Sequence, residues 1–135
     1  MSATLLVDSS VWIDHYRNKL DPTRLRMLTH AMQDHQVVLA PMIWLELVVG
    51  FRSPEEKEHL DNIRAAVRWV DPPEDLWERA ARHAATLHAA GIVLRMPDLL
   101  VLTMAEAMDF RLLHCDKDFD RPLKLKPFAR LRVEP

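Results

Sequence analysis

The sequence of 135 residues contains little cysteine and little glycine, with one cysteine and two glycines. A single cysteine, Cys115, cannot build a disulfide framework, and this fits a reducing compartment. No apolar run reaches the roughly 18 residues that a membrane-spanning helix needs. The N-terminus lacks the basic stretch and long apolar segment that are typical of a signal peptide. We therefore expect a cytoplasmic protein.

An excess of charge of one sign is also absent, because the formal net charge is −2. Bulk charge therefore gives no indication of nucleic-acid binding, and any attraction to RNA would have to come from a local patch or from a bound metal. Hydrophobic residues make up 49% of the sequence and charged residues 28%, which is typical of a folded globular chain. The length predicts one domain spanning residues 1–135.

Short apolar runs alternate with amphipathic segments along the chain. The runs predict strands at 4–7, 37–39, 67–70 and 112–115. A fifth strand is predicted at 131–133, where an arginine interrupts the apolar residues. Caps, prolines and glycines predict helices after Asp8 and at 22–35, 41–50, 54–66, 72–91 and 97–108. This alternation predicts an α/β fold with a central parallel sheet of four to five strands, covered by helices on both faces. In such sheets the ligand site lies beyond the carboxyl ends of the strands.

Four acidic residues lie at or inside apolar runs. Asp8 follows Leu5–Val7, Asp98 precedes Leu99–Leu102, Asp116 follows Leu112–Cys115, and Glu46 lies within 43–49. A carboxylate is costly to bury without a partner, and four that converge would repel one another strongly. A divalent cation is the simplest partner that stabilises such a cluster. The pattern predicts a Mg²⁺ or Mn²⁺ site and a metal-assisted reaction on phosphate.

Each of these acids also has a purely structural interpretation. Asp8 and Asp98 could serve only as helix caps, and Glu46 could pair with a buried arginine. Asp116 could belong to a solvated turn together with Asp118 and Asp120. The metal-site hypothesis therefore depends on the four acids meeting in space.

Four motifs resemble those of the PIN-domain nucleases, in the form found in VapC toxins of bacterial toxin–antitoxin pairs. The first is Leu6–Asp14, and the second is Leu45–Gly50, in which a glutamate precedes a glycine by four residues. The third combines Gly91 with Asp98–Ala105, and the fourth is Leu112–Asp120. The match spans nearly the whole chain in the order and spacing of the family. It departs at Pro97, where relatives vary, and in the fourth motif, where Asp118 is an alternative to Asp116.

The resemblance implies a three-layer α/β/α PIN-like fold and a bacterial endoribonuclease that uses one or two Mg²⁺ or Mn²⁺ ions. It implies that the metal-binding and catalytic residues are Asp8, Asp98, Asp116 and Glu46, with Glu46 acting directly or through water. Ser10 matches the serine or threonine position of the family and would support Asp8. The expected products carry a 5′-phosphate and a 3′-hydroxyl.

The resemblance also implies partners. They are an RNA substrate (tRNA, rRNA or mRNA), a cognate antitoxin, and a second copy in a homodimer, or in a heterotetramer or larger assembly with the antitoxin. The amphipathic segments Asp21–His35 and Pro54–Ala66 are the predicted antitoxin surface, and an antitoxin arginine would enter the acidic cluster.

The basic stretch after Asp116 has two interpretations. Its cations could contact the RNA backbone or could form a solvated surface. They are Lys117, Arg121, Lys124, Lys126, Arg130 and Arg132. A second, weaker candidate stretch contains Arg17, Lys19, Arg24 and Arg26. The seven histidines form no zinc motif such as H-E-x-x-H, and we expect most of them to be solvated.

Two rival functions remain open at this point. One is another Mg²⁺-dependent phosphoesterase, although an aspartyl-phosphate phosphatase would require Asp-x-Asp where the chain has Asp8-Ser9-Ser10. The other is a PIN-fold module whose acidic pocket only binds a protein.

Overall fold

The computed structural model describes residues 3–128, 131 and the backbone of 133–134. Its centre is a five-stranded sheet whose neighbouring strands are all parallel, in the order β3-β2-β1-β4-β5. The strands are β1 (Leu5–Val7), β2 (Val37–Leu39), β3 (Arg68–Trp69), β4 (Arg111–Leu113) and β5 (Val133–Glu134). Strands β1 and β2 are buried along their whole length, as expected for a sheet that helices cover on both faces.

In the part of the chain that the structure describes, six α-helices connect the strands. They are α1 (Ser9–Tyr16), α2 (Pro22–Gln33), α3 (Pro41–Gly50), α4 (Pro54–Ala66), α5 (Leu76–Ala89) and α6 (Met96–Ala107). Short 3-10 turns follow β4, at Lys117–Phe119, Pro122–Lys124 and Lys126–Phe128. The core joins β1, β2 and β4 to the inner faces of these helices, and Val101, Leu102 and Met104 of α6 are fully buried in it.

The predicted α/β fold with its parallel sheet is confirmed, and helices α3 and α4 have the predicted bounds. Each of these helices has proline at its first position, where a missing N–H costs nothing. Ser53 and Glu56 form the capping box that was predicted for α4.

Several predicted bounds were wrong: α2 ends at Gln33 and not at 35, and β3 is confined to Arg68–Trp69 within the predicted 67–70. Helix α5 begins at Leu76 and not at 72, because two consecutive prolines and a turn at 74–75 precede it. Helix α6 begins at Met96 and not at 97, so Arg95 is the N-cap and Asp98 is the third residue of the helix. Strand β4 ends at Leu113 and not at Cys115, so Asp116 lies three residues beyond the strand. In the predicted fifth strand, Arg132 lies outside the described residues.

Gly91 lies in the turn that ends α5, before the chain continues towards the acidic residues. Its φ is +75°, in the left-handed region where glycine has no Cβ penalty. The chain therefore leaves α5 sharply, and residues 92–95 lead directly into α6.

Candidate metal centre

The site is built where β1 and β4 end side by side. The backbone N–H of Asp8 donates to the carbonyl oxygen of Leu113 at 2.9 Å, which joins the two strand ends. Asp8 follows β1 directly and is the N-cap of α1. The carboxyl edge of the sheet therefore positions the first acidic residue, as the sequence predicted.

The two oxygens of Asp8 have different surroundings. Oδ2 accepts hydrogen bonds from the backbone N–H of Ser10, at 3.1 Å, and from the Ser10 hydroxyl. The Ser10 oxygen in turn accepts from the backbone N–H of Cys115 at 3.2 Å, so Ser10 ties Asp8 to the segment after β4. Oδ1 is buried and has no hydrogen-bond partner among the described residues. The capping interpretation of Asp8 is thus correct for one oxygen and leaves the other unexplained.

Three other carboxylates lie close together. Asp98, Asp116 and Asp118 each present an oxygen such that these oxygens all lie within 4.8 Å of one another. Asp98 is 2% exposed, in the first turn of α6, whereas Asp116 and Asp118 flank the start of the turn after β4. Oxygen donors at this spacing are the ligand type that Mg²⁺ and Mn²⁺ prefer. The charges of Asp8 and Asp116 act on each other, and Asp8 also acts on Asp98, so Asp8 lies within electrostatic reach of this group. The buried, unpartnered oxygen of Asp8 and the group of three therefore fit a hard divalent cation.

Glu46 faces the same region from α3. Its Oε1 accepts a hydrogen bond from the Ser9 hydroxyl at 3.2 Å. Burial is the largest cause that raises the pKa of Glu46, and the charges of Asp8 and Asp98 add to the rise. The three carboxylates therefore lie within electrostatic reach of one another. Sequence reasoning did not assign Ser9 a role, since its contact with Glu46 joins residues 37 positions apart.

A guanidinium also lies at the rim of the acidic residues. Arg95 Nε is 3.4 Å from Asp98 Oδ2, and Arg95 Nη2 is 3.9 Å from Glu46 Oε2. The Arg95 side chain is 66% exposed, so the predicted alternative of a buried arginine partner for Glu46 is wrong in that respect. Sequence reasoning missed Arg95, although it stands three residues before Asp98.

Burial and mutual repulsion govern the titration of these acids. Desolvation raises the pKa values of Asp8 and Asp98, and the charges of nearby carboxylates add to the rise. The hydrogen bonds from Ser10 oppose the rise at Asp8, and the charge of Arg95 opposes it at Asp98. Burial likewise raises the pKa of Glu46. Holding three such groups ionised near pH 7 without a cation costs folding free energy.

We predict that Asp98→Asn stabilises the metal-free protein at pH 7. The pKa of Asp98 is higher in the folded protein than its ordinary value of 3.8. The carboxyl therefore contributes to folding stability at pH values below 3.8, and this contribution is lost as the pH rises through the pKa of the folded state. The variant should melt a few degrees above the wild type, at about 3–5 °C per kcal/mol for a chain of this size. The difference in melting temperature between the two proteins should decrease as the pH falls towards 4. Thermal unfolding of both proteins in chelator, at pH 4 to 8, measures this difference. A wild type that is more stable than Asp98→Asn at pH 7 would contradict the electrostatic argument.

The region after β4 holds further groups. His114 is 6% exposed, its Nδ1 accepts from the backbone N–H of Asp116 at 3.3 Å, and burial lowers its pKa. The expectation of solvated histidines was therefore wrong for His114, and also for His15, His59 and His83, which are half-buried. Burial raises the pKa of the Cys115 thiol to about 11, so this cysteine is a poor nucleophile.

The basic residues divide into two groups. Lys117, Arg121 and Lys124 are exposed on the turns that follow Asp116. Arg24, from the weaker candidate stretch, instead donates from Nε to the His114 carbonyl oxygen at 2.7 Å and pairs with Asp21. Arg24 therefore braces the loop that carries Asp116. Arg130 and Arg132 lie outside the described residues.

The fold and the acidic site together define an α/β protein with a carboxylate cluster suited to a divalent cation. The PIN domain family matches this chain over residues 5–124. Ribonuclease VapC21 of Mycobacterium tuberculosis is 30% identical over 124 residues, which cover 90% of this chain and 87% of that protein. The chain belongs to the PIN-domain family, and the predicted resemblance to VapC proteins is confirmed.

Solved structures of toxin–antitoxin complexes share this fold. VapBC2 from Rickettsia felis, bound to a DNA fragment from its promoter, has a TM-score of 0.78 at 16% identity and covers 97% of each chain. VapBC-5 from Mycobacterium tuberculosis has a TM-score of 0.70 at 18% identity and covers 98% of each chain. At these identities the likeness concerns the fold. None of the helices within the described residues is long and apolar enough to span a membrane.

Proposed function

We propose that this chain is a divalent-metal-dependent endoribonuclease that acts as the toxin of a toxin–antitoxin pair. The observation that carries the proposal is the group formed by Asp98, Asp116 and Asp118, together with the buried, unpartnered oxygen of Asp8, whose charge acts on Asp98. Membership of the PIN-domain family and the ribonuclease name of a 30% identical relative support the substrate class.

Asp8, Asp98 and Asp116 are the residues that would hold one or two Mg²⁺ or Mn²⁺ ions. Asp118 is the alternative to Asp116, and its position within the group of three favours a direct role for it. When bound, such an ion supplies an activated water, an electrophile for the phosphoryl oxygens and stabilisation of the leaving oxygen. Water attack in line would leave a 5′-phosphate and a 3′-hydroxyl.

The other residues of the site act by positioning. Ser10 fixes the orientation of Asp8, and the Ser9 hydroxyl fixes one oxygen of Glu46. Glu46 can then orient the attacking water or hold an ion through water, because its second oxygen is not used by Ser9 and lies 3.9 Å from Arg95 Nη2 at the rim of the site. Lys117, Arg121 and Lys124 would contact RNA phosphates beside the site.

The test of this function is cleavage of an end-labelled single-stranded RNA. The chelator-treated protein should be inactive, and Mg²⁺ or Mn²⁺ should restore cleavage with 5′-phosphate products. A protein that binds Mn²⁺ but leaves RNA intact and hydrolyses another phosphodiester would favour the rival phosphoesterase. A protein that binds no metal and cleaves nothing would favour the module that only binds protein.

The antitoxin is proposed to dock on α2 and α4, as the amphipathic pattern predicted. Helices α1, α2 and α4 line a cavity of about 350 Å³ whose wall includes Leu28, Met32 and Ile63. An apolar groove between helices is a typical seat for an amphipathic segment of a partner. An antitoxin arginine at Asp98 and Glu46 would take the place that Arg95 has in this structure.

We predict that Ala66→Arg weakens antitoxin binding by at least about 10-fold, since filling a docking groove with a charge costs more than 1.4 kcal/mol. Ala66 lines the groove and is exposed at the end of α4, so the substitution should leave the fold intact. The matched control is Ala65→Arg, one position along the same helix and also exposed, but outside the groove. Titration of each variant with the purified antitoxin measures the effect, and equal affinities would place the antitoxin elsewhere.

The homodimer, and the heterotetramer or larger assembly with the antitoxin, stay predictions. The apolar side chains of Leu45, Val49 and Met96 are each 64% exposed beside Glu46. Exposed apolar side chains that cluster in this way mark surfaces that contact other proteins.

A further inference from the structure

Arg95 stands between two surroundings of opposite charge. On one side its guanidinium contacts the carboxylates of Asp98 and Glu46, at 3.4 and 3.9 Å. The charge of Asp116 also acts on Arg95 and contributes to the rise of its pKa, although the charge of Asp98 contributes most. Arg95 therefore supplies the acidic residues with positive charge from within the same chain.

On the other side Arg95 lines a basic cleft, which we define by Arg95, Lys117, Asp118 and Arg121. These residues surround a cavity of about 230 Å³ together with residues 92–94. Asp118 belongs both to this cleft and to the carboxylate group with Asp98 and Asp116, so the cleft opens directly beside the candidate metal centre.

Two of the three cations of the basic cleft are available to a ligand. Lys117 and Arg121 are exposed, and neither side chain forms an ion pair with any residue that the structure describes. Three cations face one carboxylate there, which leaves the cleft with an excess of positive charge. A phosphodiester matches such a cleft, and the planar fork of an arginine can donate two hydrogen bonds to one phosphate.

Arg95 and a divalent cation compete for the same carboxylates. A cation bound by Asp98, directly or with Glu46 through water, would repel the guanidinium and use the oxygens that it contacts. The Arg95 side chain is 66% exposed and long, so it can turn without disturbing the core. Its nearest alternative surroundings are those of the basic cleft.

We propose that Arg95 alternates between the acidic residues and the basic cleft. Without a divalent ion, it neutralises Asp98 and Glu46. With the ion bound, it turns into the basic cleft and holds the RNA phosphate next to the scissile one. This inference rests on the proposed function, since it assumes an RNA substrate and a metal at the acids. It gives Arg95 the role of a substrate-binding residue that is released by metal binding.

The test compares Arg95→Ala and Arg95→Lys with the matched control Arg52→Ala. Arg52 is exposed and its Nε donates to the Val49 carbonyl oxygen, away from the basic cleft. In the absence of RNA, calorimetric titration with Mn²⁺ should show Arg95→Ala binding the metal about 3–10-fold more tightly than wild type, because the competing cation is gone. Arg95→Lys should stay close to wild type.

With Mn²⁺ and RNA present, Arg95→Ala should raise KM about 10-fold and leave kcat within about 3-fold, as expected for a lost phosphate contact in the ground state. Arg95→Lys should recover most of the loss. If either the Mn²⁺ affinity or the KM of Arg95→Ala equals that of Arg52→Ala, the alternation is wrong. A wild type that does not cleave RNA would instead overturn the proposed function, and the alternation with it.

Discussion

Replacing Asp8 by asparagine is expected to lower the rate of metal-dependent RNA cleavage by about 10²–10³-fold or more, the range found when one group that stabilises developing charge is removed. Asparagine keeps the oxygen that accepts from Ser10 and removes the negative charge of the unpartnered, buried Oδ1. The change should therefore remove a metal ligand without removing the helix cap.

The control for Asp8→Asn is Asp61→Asn, which makes the same chemical change at an exposed position on α4. Single-turnover cleavage of a labelled RNA by the three proteins, at saturating Mn²⁺, measures the effect. Thermal unfolding in chelator should show that Asp8→Asn is folded. An Asp8→Asn protein that cleaves at the wild-type rate would remove Asp8 from the proposed mechanism.

The second large effect is expected from Phe119→Ala, with a loss of about 3–5 kcal/mol of unfolding free energy. Phe119 is 0% exposed at the end of the turn Lys117–Phe119, and its ring packs edge-on against His114 at 5.0 Å between centroids. Its burial holds the chain segment that carries Asp116 and Asp118 against the core. Because domains are stable by only about 5–15 kcal/mol, this loss is a large share of the total.

Urea denaturation of the metal-free protein measures the effect of Phe119→Ala, and Phe119→Leu is the matched control. Leucine refills most of the space, so its cost should stay under about 1.5 kcal/mol. Phe119→Ala should also weaken Mn²⁺ binding, because Asp116 and Asp118 lose their anchor. A change of less than about 1 kcal/mol in Phe119→Ala would show that the turn does not depend on this ring.

The helix bounds that the sequence predicted well are those with strong local signals. Proline at the first position and a capping box fix α3 and α4 within a few residues, so their position depends little on the rest of the fold. The short strands were predicted from apolar runs, and β2 has the predicted bounds. Strand β4 was predicted to extend to Cys115, but it ends at Leu113, because the buried His114 and the half-buried Cys115 lie in the loop that follows the strand.

The candidate site could be predicted in its acidic residues and not in its contacts. The acidic residues can be identified from the sequence because a carboxylate beside an apolar run is unusual. Nothing in the local sequence around Ser9 and Arg95 marks them as residues of the site. Their roles depend on distances across the fold, such as that from Ser9 to Glu46. The preference for Asp116 over Asp118 rested on a strand that ends earlier than predicted, and the structure brings both residues to Asp98.

The measurement that tests the central claim most directly is a Mn²⁺ titration of the wild type, Asp8→Asn and Asp98→Asn, followed by calorimetry. If the carboxylates of β1, α6 and the turn after β4 form one metal centre, the wild type will bind Mn²⁺ saturably. Each variant will then bind it at least about 10-fold more weakly, since even changes in groups that only support a ligand cost 10–100-fold. A wild type without saturable binding, or variants that bind as tightly as the wild type, would contradict the metal centre.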